Sequence, residues 1–239
     1  MSKEGGSQGR VVLVTGASGN LGQAVCSNLA EAGFLIEALD RDATRLAGLA
    51  EALPAGAVHG LPGIDLGDPA ACDAAIEDVL ARRGRLDAVV HTVGGFDMAP
   101  IADADAALWE RMFRLNLMTT VNLFRPAVAA MRRAGRGSLV ATGAMAALRS
   151  PSQLAAYAAS KAGVLRLVES HSEELKAEGI RVNAVLPGTI DTPQNRAAMP
   201  GADTAKWVRP EQVAAVVAFL LSDAASGVTG AALPVTARG

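Results

Sequence analysis

The apolar run Val11-Val-Leu-Val14 leads without a break into Thr15-Gly-Ala-Ser-Gly-Asn-Leu-Gly22, and an amphipathic stretch from about Asn20 to Ala32 follows. Four consecutive apolar residues, without alternation and too few for a helix, predict a strand buried on both faces. Glycines at 16, 19 and 22 then permit a sharp turn directly into a helix whose first backbone N–H groups have no partner of their own. A strand covered on both faces needs a layer of helices on each side, so this one junction constrains the chain to a layered α/β fold.

The same pattern repeats to the end of the chain. Strands are expected near 35–39, 57–61, 86–93, 138–142, 180–186 and 228–235, and helices near 43–52, 69–82, 105–134, 153–177 and 210–221. Runs such as Val89-Val90 and Val182 to Leu186 are continuously apolar, as parallel strands require. The expectation is a Rossmann-type doubly wound parallel sheet of about seven strands with helices on both faces. Residues 10–239 are expected to form one domain after a loose tail at 1–9, with a long Pro- and Gly-rich connection at 188–209 as a substrate loop.

Composition removes several classes of function. Half of the 239 residues are hydrophobic and 19% are charged, enough to bury a core and too apolar for a disordered chain. A net charge of −2 offers no basic face for a phosphate backbone, so no nucleic-acid partner is expected. No run approaches the roughly 20 apolar residues that span a bilayer. Cys26 and Cys72 form no CxxC and His59, His91 and His171 are scattered, so neither a disulfide framework nor a metal site is expected. The composition and the polar start point to the cytoplasm and to a small-molecule partner.

The glycine turn is a place for a pyrophosphate at a helix N-terminus. Asp40 closes the second strand roughly 18 positions after Gly22, near where an acidic residue bonds the ribose 2′-hydroxyl of NAD. A 2′-phosphate at about 4 Å would meet a like-charge repulsion of up to ~4 kcal/mol at an effective dielectric of 20. NAD(H) is therefore the expected cofactor, with NADP(H) possible through Arg41; Asp65, after the third strand, is placed to accept from the adenine amine. Tyr157 and Lys161 lie one helical turn apart on one face. A lysine cation there is expected to favour the phenolate and lower the tyrosine pKa toward working range.

With Leu86-Asp-Ala-Val-Val-His-Thr-Val-Gly-Gly95, Leu115-Asn-Leu117 and Val182-Asn-Ala-Val-Leu-Pro-Gly188 added to these motifs, the chain resembles the short-chain dehydrogenase/reductase family from Val11 to Pro234. The resemblance implies that Tyr157 exchanges the proton with substrate, that Lys161 binds the nicotinamide ribose, and that Asn116 holds a water in a proton relay. It implies cofactor contacts from Gly16, Ser18, Asn20, Leu21, Gly22, Asp40, Arg41, Asp65, Leu66, Gly94, Tyr157, Lys161, Pro187 and Gly188. Thr192 or the backbone of Ile190 would meet the carboxamide. Together with apolar positions on the two long helices, the resemblance also implies a homodimer or homotetramer.

Two departures bear on substrate. The family's paired serines appear as Gly143-Ala144, so the hydroxyl that polarises a carbonyl is missing, and its Asn-Asn-Ala-Gly appears as His91-Thr-Val-Gly94. His91 is expected to be a packed, hydrogen-bonded imidazole. Gly143 to Leu148, Val93 to Phe96 and Leu186 to Arg196 are similar to the dihydropteridine reductase branch of the family. The first functional expectation is accordingly reduction of a quinonoid or otherwise activated ring, with Phe96, Ala144, Met145, Met199 and Trp207 walling a flat apolar pocket. The alternatives are a ketone or secondary-alcohol oxidoreductase, with Thr142 or a water in the serine's role, and a nucleotide-binding protein without chemistry.

Overall fold

Seven strands, all parallel, order themselves as β3-β2-β1-β4-β5-β6-β7 in a computed structural model that describes residues 9–237. They are β1 (Val11–Thr15), β2 (Leu35–Asp40), β3 (Val58–Pro62), β4 (Ala88–His91), β5 (Gly137–Thr142), β6 (Ile180–Pro187) and β7 (Ala232–Val235). The chain winds outward from β1 to β3, then returns to lay β4 on the other side of β1. That reversal opens a crevice beyond the C-terminal ends of β1 and β4, where ligands of such sheets bind.

The helices are α1 (Asn20–Glu31), α2 (Ala43–Ala52), α3 (Pro69–Arg83), α4 (Ala106–Phe113), α5 (Thr119–Ala134), α6 (Ala155–Leu175), α7 (Pro193–Ala198) and α8 (Pro210–Leu221). Strand alternation splits the core in two. Val12, Val14, Ile36, Val90, Val140 and Val185 face α1, α2 and α8, while Leu13, Leu39, Val89, Leu139 and Val182 face α3, α5 and α6. Helix starts are set by short acceptor side chains: Asp42 accepts from the Arg45 N–H at 3.0 Å and Asp105 from the Leu108 N–H at 2.9 Å.

The layered sheet agrees with the sequence expectation, although the last strand, expected from Val228, begins at Ala232, and three further elements differ from it. The helix expected over 105–134 is divided by a π-helical turn at Arg114–Met118. The helix expected from Gln153 begins at Ala155, because Gln153 adopts φ +65°. The long connection at 188–209 carries α7 and a 3₁₀ turn at Thr204–Lys206. The expected tail at 1–9 lies, apart from Gly9, outside the described residues. Among those residues no helix is long and apolar enough to cross a membrane, and no cluster of His, Cys, Asp and Glu is suited to a metal.

Candidate active site

The turn after β1 is set by backbone contact. Gly19 N–H donates to the Gly16 carbonyl at 3.0 Å. A Cβ on Gly22 would run into that same carbonyl oxygen, so only glycine lets the first turn of α1 close on the loop. The N-terminus of α1 therefore points its free N–H groups into the crevice, with the positive end of the helix dipole behind them.

A cleft of about 610 Å³ occupies this place, and it gathers most of the predicted nucleotide residues: Gly16, Ser18, Asn20, Leu21, Gly22, Asp40, Arg41, Asp65, Leu66, Gly94 and Thr192. Asp40 accepts from the Ser18 N–H at 3.0 Å and from the Asp42 N–H at 3.2 Å. Burial pulls its pKa upward, yet hydrogen bonds from Ser18 and from the Asp42 and Arg41 backbone hold it below the ordinary carboxylate value. Asp40 is thus a fixed anion on the wall of the cleft. Asp65 accepts from the Gly67 N–H at 2.9 Å.

At the other end the cleft reaches Gly94. A Cβ there would stand 2.7 Å from Asn116 Oδ1 and 3.0 Å from Lys161 Nζ, so glycine is what lets the lysine approach the cleft. Asn116 reaches Gly95 because the π-helical turn aims it inward: its Oδ1 accepts from the Gly95 N–H at 2.8 Å, and its amide donates to the Gly95 carbonyl at 3.0 Å and to Ser160 Oγ at 2.9 Å. Widened turns of this kind recur where a helix must redirect a functional side chain. Both amide hydrogens are committed to protein, so the Asn116 side chain clamps the loop, and the relay water the resemblance implies would have to donate to one of the residue's oxygens.

Lys161 is buried beneath this clamp and donates to the Thr142 carbonyl at 2.8 Å. Tyr157, one turn earlier on α6, meets the exposed ring of Phe96 edge-on with centroids 5.0 Å apart. Burial pushes the Tyr157 phenol up to about 12, against the lowering expected from the lysine. Desolvation is the cause, and it also pulls Lys161 down to about 8.

These two directions predict a pH signature in the nucleotide-free protein. Between about 8 and 9 the unfolded chain holds a proton that folded Lys161 has released, so resistance to urea rises with pH. Above about 9 the unfolded Cys26 and Cys72, and above about 10 the unfolded tyrosine, ionise before their buried folded counterparts, and stability falls again. Urea melts across this range should show the rise, and Lys161→Met should flatten it; an unchanged slope in that variant would contradict the burial of the ammonium.

His91 is packed as expected. Thr119 spends its hydroxyl hydrogen on the Leu115 carbonyl at 2.7 Å, so it accepts from His91 Nε2–H at 3.2 Å, and Nδ1 accepts from the Thr15 hydroxyl at 2.8 Å. Burial and then the Lys161 cation press the imidazole down to about 3, which leaves it neutral and without a catalytic proton. Thr142 donates its hydroxyl to the His91 carbonyl at 2.9 Å, so that hydrogen is not available to stand in for a serine.

Other predicted residues are placed elsewhere. Pro187, Gly188 and Ile190 do not line the cleft, nor do Tyr157 and Lys161, the lysine lying directly behind Gly94: Gly188 N–H donates to the Val235 carbonyl at 2.9 Å, and the Ile190 carbonyl accepts from Asn195 at 2.7 Å. Ala144 and Trp207 are buried, Met145 is half-buried and packs on the core, and Met199 is exposed. Of the five expected wall residues, Phe96 is the one with a ring contact to Tyr157. The cleft also includes Thr92, Val93, Thr119 and Arg45, which the sequence reading passed over. Thr92 and Val93 follow β4 at the sheet's ligand-binding edge, and Arg45 lies one helical turn after Arg41; both placements were open to a stricter use of strand ends and helical spacing.

A glycine-closed helix start at a switch point of a parallel sheet, with an aspartate at the end of β2, defines the class of nucleotide-binding α/β proteins. The pattern of the short chain dehydrogenases matches residues 10–202, and the chain belongs to the short-chain dehydrogenase/reductase family, whose cofactors are NAD(H) or NADP(H). It is 32% identical over 244 residues to 2-(S)-hydroxypropyl-CoM dehydrogenase 3 of Xanthobacter autotrophicus, covering 94% of each chain. It is 35% identical over 236 residues to cis-4-hydroxycyclohexanecarboxylate dehydrogenase of Sinomonas cyclohexanicum, covering 95% of this chain and 94% of that one. A short-chain type dehydrogenase/reductase from Mycobacterium ulcerans superposes with a TM-score of 0.91 at 34% identity, covering 96% of this chain and 89% of the other. The protein is an oxidoreductase, and the reading of a nucleotide binder without chemistry is set aside.

Proposed function

We propose that this protein interconverts a ketone and its secondary alcohol with NAD(H), Tyr157 moving the proton. The observation that carries the reading is the junction at Gly94, where a buried lysine meets the end of the nucleotide cleft and a phenol stands one turn away on the same helix. The cleft suits a dinucleotide: a backbone cradle without room for a Cβ, an ionised Asp40 at one end and, at the other, Gly94 with Lys161 directly behind it. When bound, the nicotinamide supplies or accepts the hydride. Asp40 binds the adenosine ribose through its hydroxyls and disfavours a 2′-phosphate, while Arg41 and Arg45 on the rim are the groups an NADP-dependent variant would recruit.

Burial keeps the Tyr157 phenol protonated at neutral pH, so the proton that reduction consumes is in place. Tyr157 gives its proton to the oxygen of the forming alcohol, and the Lys161 ammonium stabilises the phenolate left behind. Asn116 pins Gly95 so that Gly94 leaves the lysine its path. The two relatives named above are, by name, dehydrogenases of secondary alcohols, and neither name describes a quinonoid ring. This supports the alcohol reading over the activated-ring reading. A second subunit against α5 and α6 remains part of the proposal.

The activated ring stays as a second reading on one observation, Ala144, which offers no hydroxyl to a carbonyl oxygen. A panel of cyclic and acyclic ketones, secondary alcohols and a quinonoid dihydropterin separates the two. Turnover of ketones is expected, and turnover of the dihydropterin alone would overturn the first reading. Ala144→Ser is expected to raise kcat/KM for ketones by about 10-fold, below the full 10² to 10³ that one oxyanion donor is worth where no other donor serves. No gain on ketones would contradict carbonyl chemistry beside residue 144.

A further inference from the structure

Reduction of a ketone gathers negative charge on its oxygen, and a site that meets this charge normally offers a second hydrogen-bond donor beside the proton donor. Around Tyr157 the obvious hydrogens are spent. The Thr142 hydroxyl donates to the His91 carbonyl, the Ser160 hydroxyl to the Tyr157 carbonyl at 2.7 Å, and the Asn116 amide to Gly95 and Ser160. Ala144 has none to give.

Gln153 stands apart from these. With Ala237 near the C-terminus, it is one of two described non-glycine residues with positive φ, and its value of +65° is a conformation that side chains with a Cβ disfavour. Such outliers persist where surrounding contacts impose them, and they gather at functional sites. The imposing contact here is a hydrogen bond of 2.9 Å from the Ala99 N–H to the Gln153 carbonyl. Ala99 lies three residues beyond Phe96, whose ring touches Tyr157, and both Ala99 and Tyr157 pack on the small core of Leu108, Met112 and Ala156. Gln153 is thereby tied to the same wall as the phenol. It lies four residues before Tyr157, outside α6 and two residues ahead of its first residue, and helical side chains lean toward the helix N-terminus, so the phenol inclines toward the end of α6 from which Gln153 enters. The Gln153 side chain is exposed, and its carboxamide makes no hydrogen bond to any described residue.

We propose, on the basis of the carbonyl reading above, that the Gln153 amide is the second donor: its Nε2–H bonds the same substrate oxygen that Tyr157 protonates, doing the work of the hydroxyl absent at 144. Gln153 is then a catalytic residue in the strict sense, touching substrate, and the imposed backbone conformation is what presents it.

Gln153→Gly tests this, because glycine relieves the backbone while removing the amide. The variant is expected to melt at or above the wild-type temperature and to bind NADH unchanged. Its kcat/KM should fall about 10²-fold for whichever panel ketone the wild type reduces fastest. Adding Ala144→Ser to Gln153→Gly should recover most of that loss. In difference infrared spectra of the same ketone, ¹³C-labelled at the carbonyl and bound with NAD⁺, the carbonyl stretch should move to higher frequency in Gln153→Gly. A purely structural role predicts a lower melting temperature, no rescue by serine and no spectral shift, and that result would overturn the proposal. Unchanged kcat/KM in Gln153→Gly would overturn it while leaving the carbonyl reading standing; a wild type that reduces no ketone would overturn both.

Discussion

Tyr157→Phe is expected to lower kcat for ketone reduction by about 10³-fold while leaving melting temperature and NADH affinity unchanged. General acid catalysis by a placed side chain contributes about 10² to 10⁴, and here the phenol is assigned the only proton that enters the product. The variant is mild structurally. The ring keeps its edge contact with Phe96 and its packing on Leu108, Met112 and Ala156, and none of the described residues loses a hydrogen-bond partner with the hydroxyl. Steady-state kinetics beside thermal melts would read it, and a loss under 10-fold with an intact fold would remove Tyr157 from the proton path.

Gly22→Ala is expected to abolish measurable NADH binding and to destabilise the protein, although helix propensity alone predicts the opposite. Alanine in a helix is favoured over glycine by about 1 kcal/mol. Against this, the new Cβ would overlap the Gly16 carbonyl and press on Ala17, both backbone, which cannot swing aside as a flexible side chain can. The loop must open, and the N–H groups that would cradle a pyrophosphate move with it. Overpacking of this kind costs about 1 to 3 kcal/mol, so the net effect is a loss of stability. Calorimetric titration with NADH would show it, and binding within a few-fold of wild type would contradict the assigned cradle.

Much of the architecture was readable because it rests on short-range patterns. Continuously apolar strands such as Val11 to Val14, aspartate caps such as Asp42, and glycine stops such as Gly84 each act through a handful of neighbouring residues. The nucleotide cleft was readable for the same reason, since Gly16 to Gly22 and Asp40 sit at the ends of adjacent strands. What escaped depends on contacts far apart in sequence. The π-helical turn at 114–118 carries Asn116 to Gly95, the left-handed Gln153 is tied to Ala99, and the direction of the Tyr157 pKa follows from burial that spacing along a helix does not report. Trp207 looked like a pocket wall in a chain poor in aromatics, yet it is buried; residue type alone does not say which way a loop turns.

Ala144 has the widest consequence. Read along the chain, it argues for a substrate that needs no polarising donor. Read in three dimensions, with the Thr142 and Ser160 hydroxyls committed, it is compatible with a carbonyl whose donor comes from another element, the role proposed for Gln153.

The most direct test follows a label. With NADH deuterated on the transferred face of nicotinamide C4 and the best ketone of the panel, the wild type is expected to place one deuterium on the carbinol carbon of a single enantiomer, at a rate that Tyr157→Phe reduces about 10³-fold. Deuterium that stays on the nucleotide, or that reaches the alcohol equally fast without the phenol, would contradict the account.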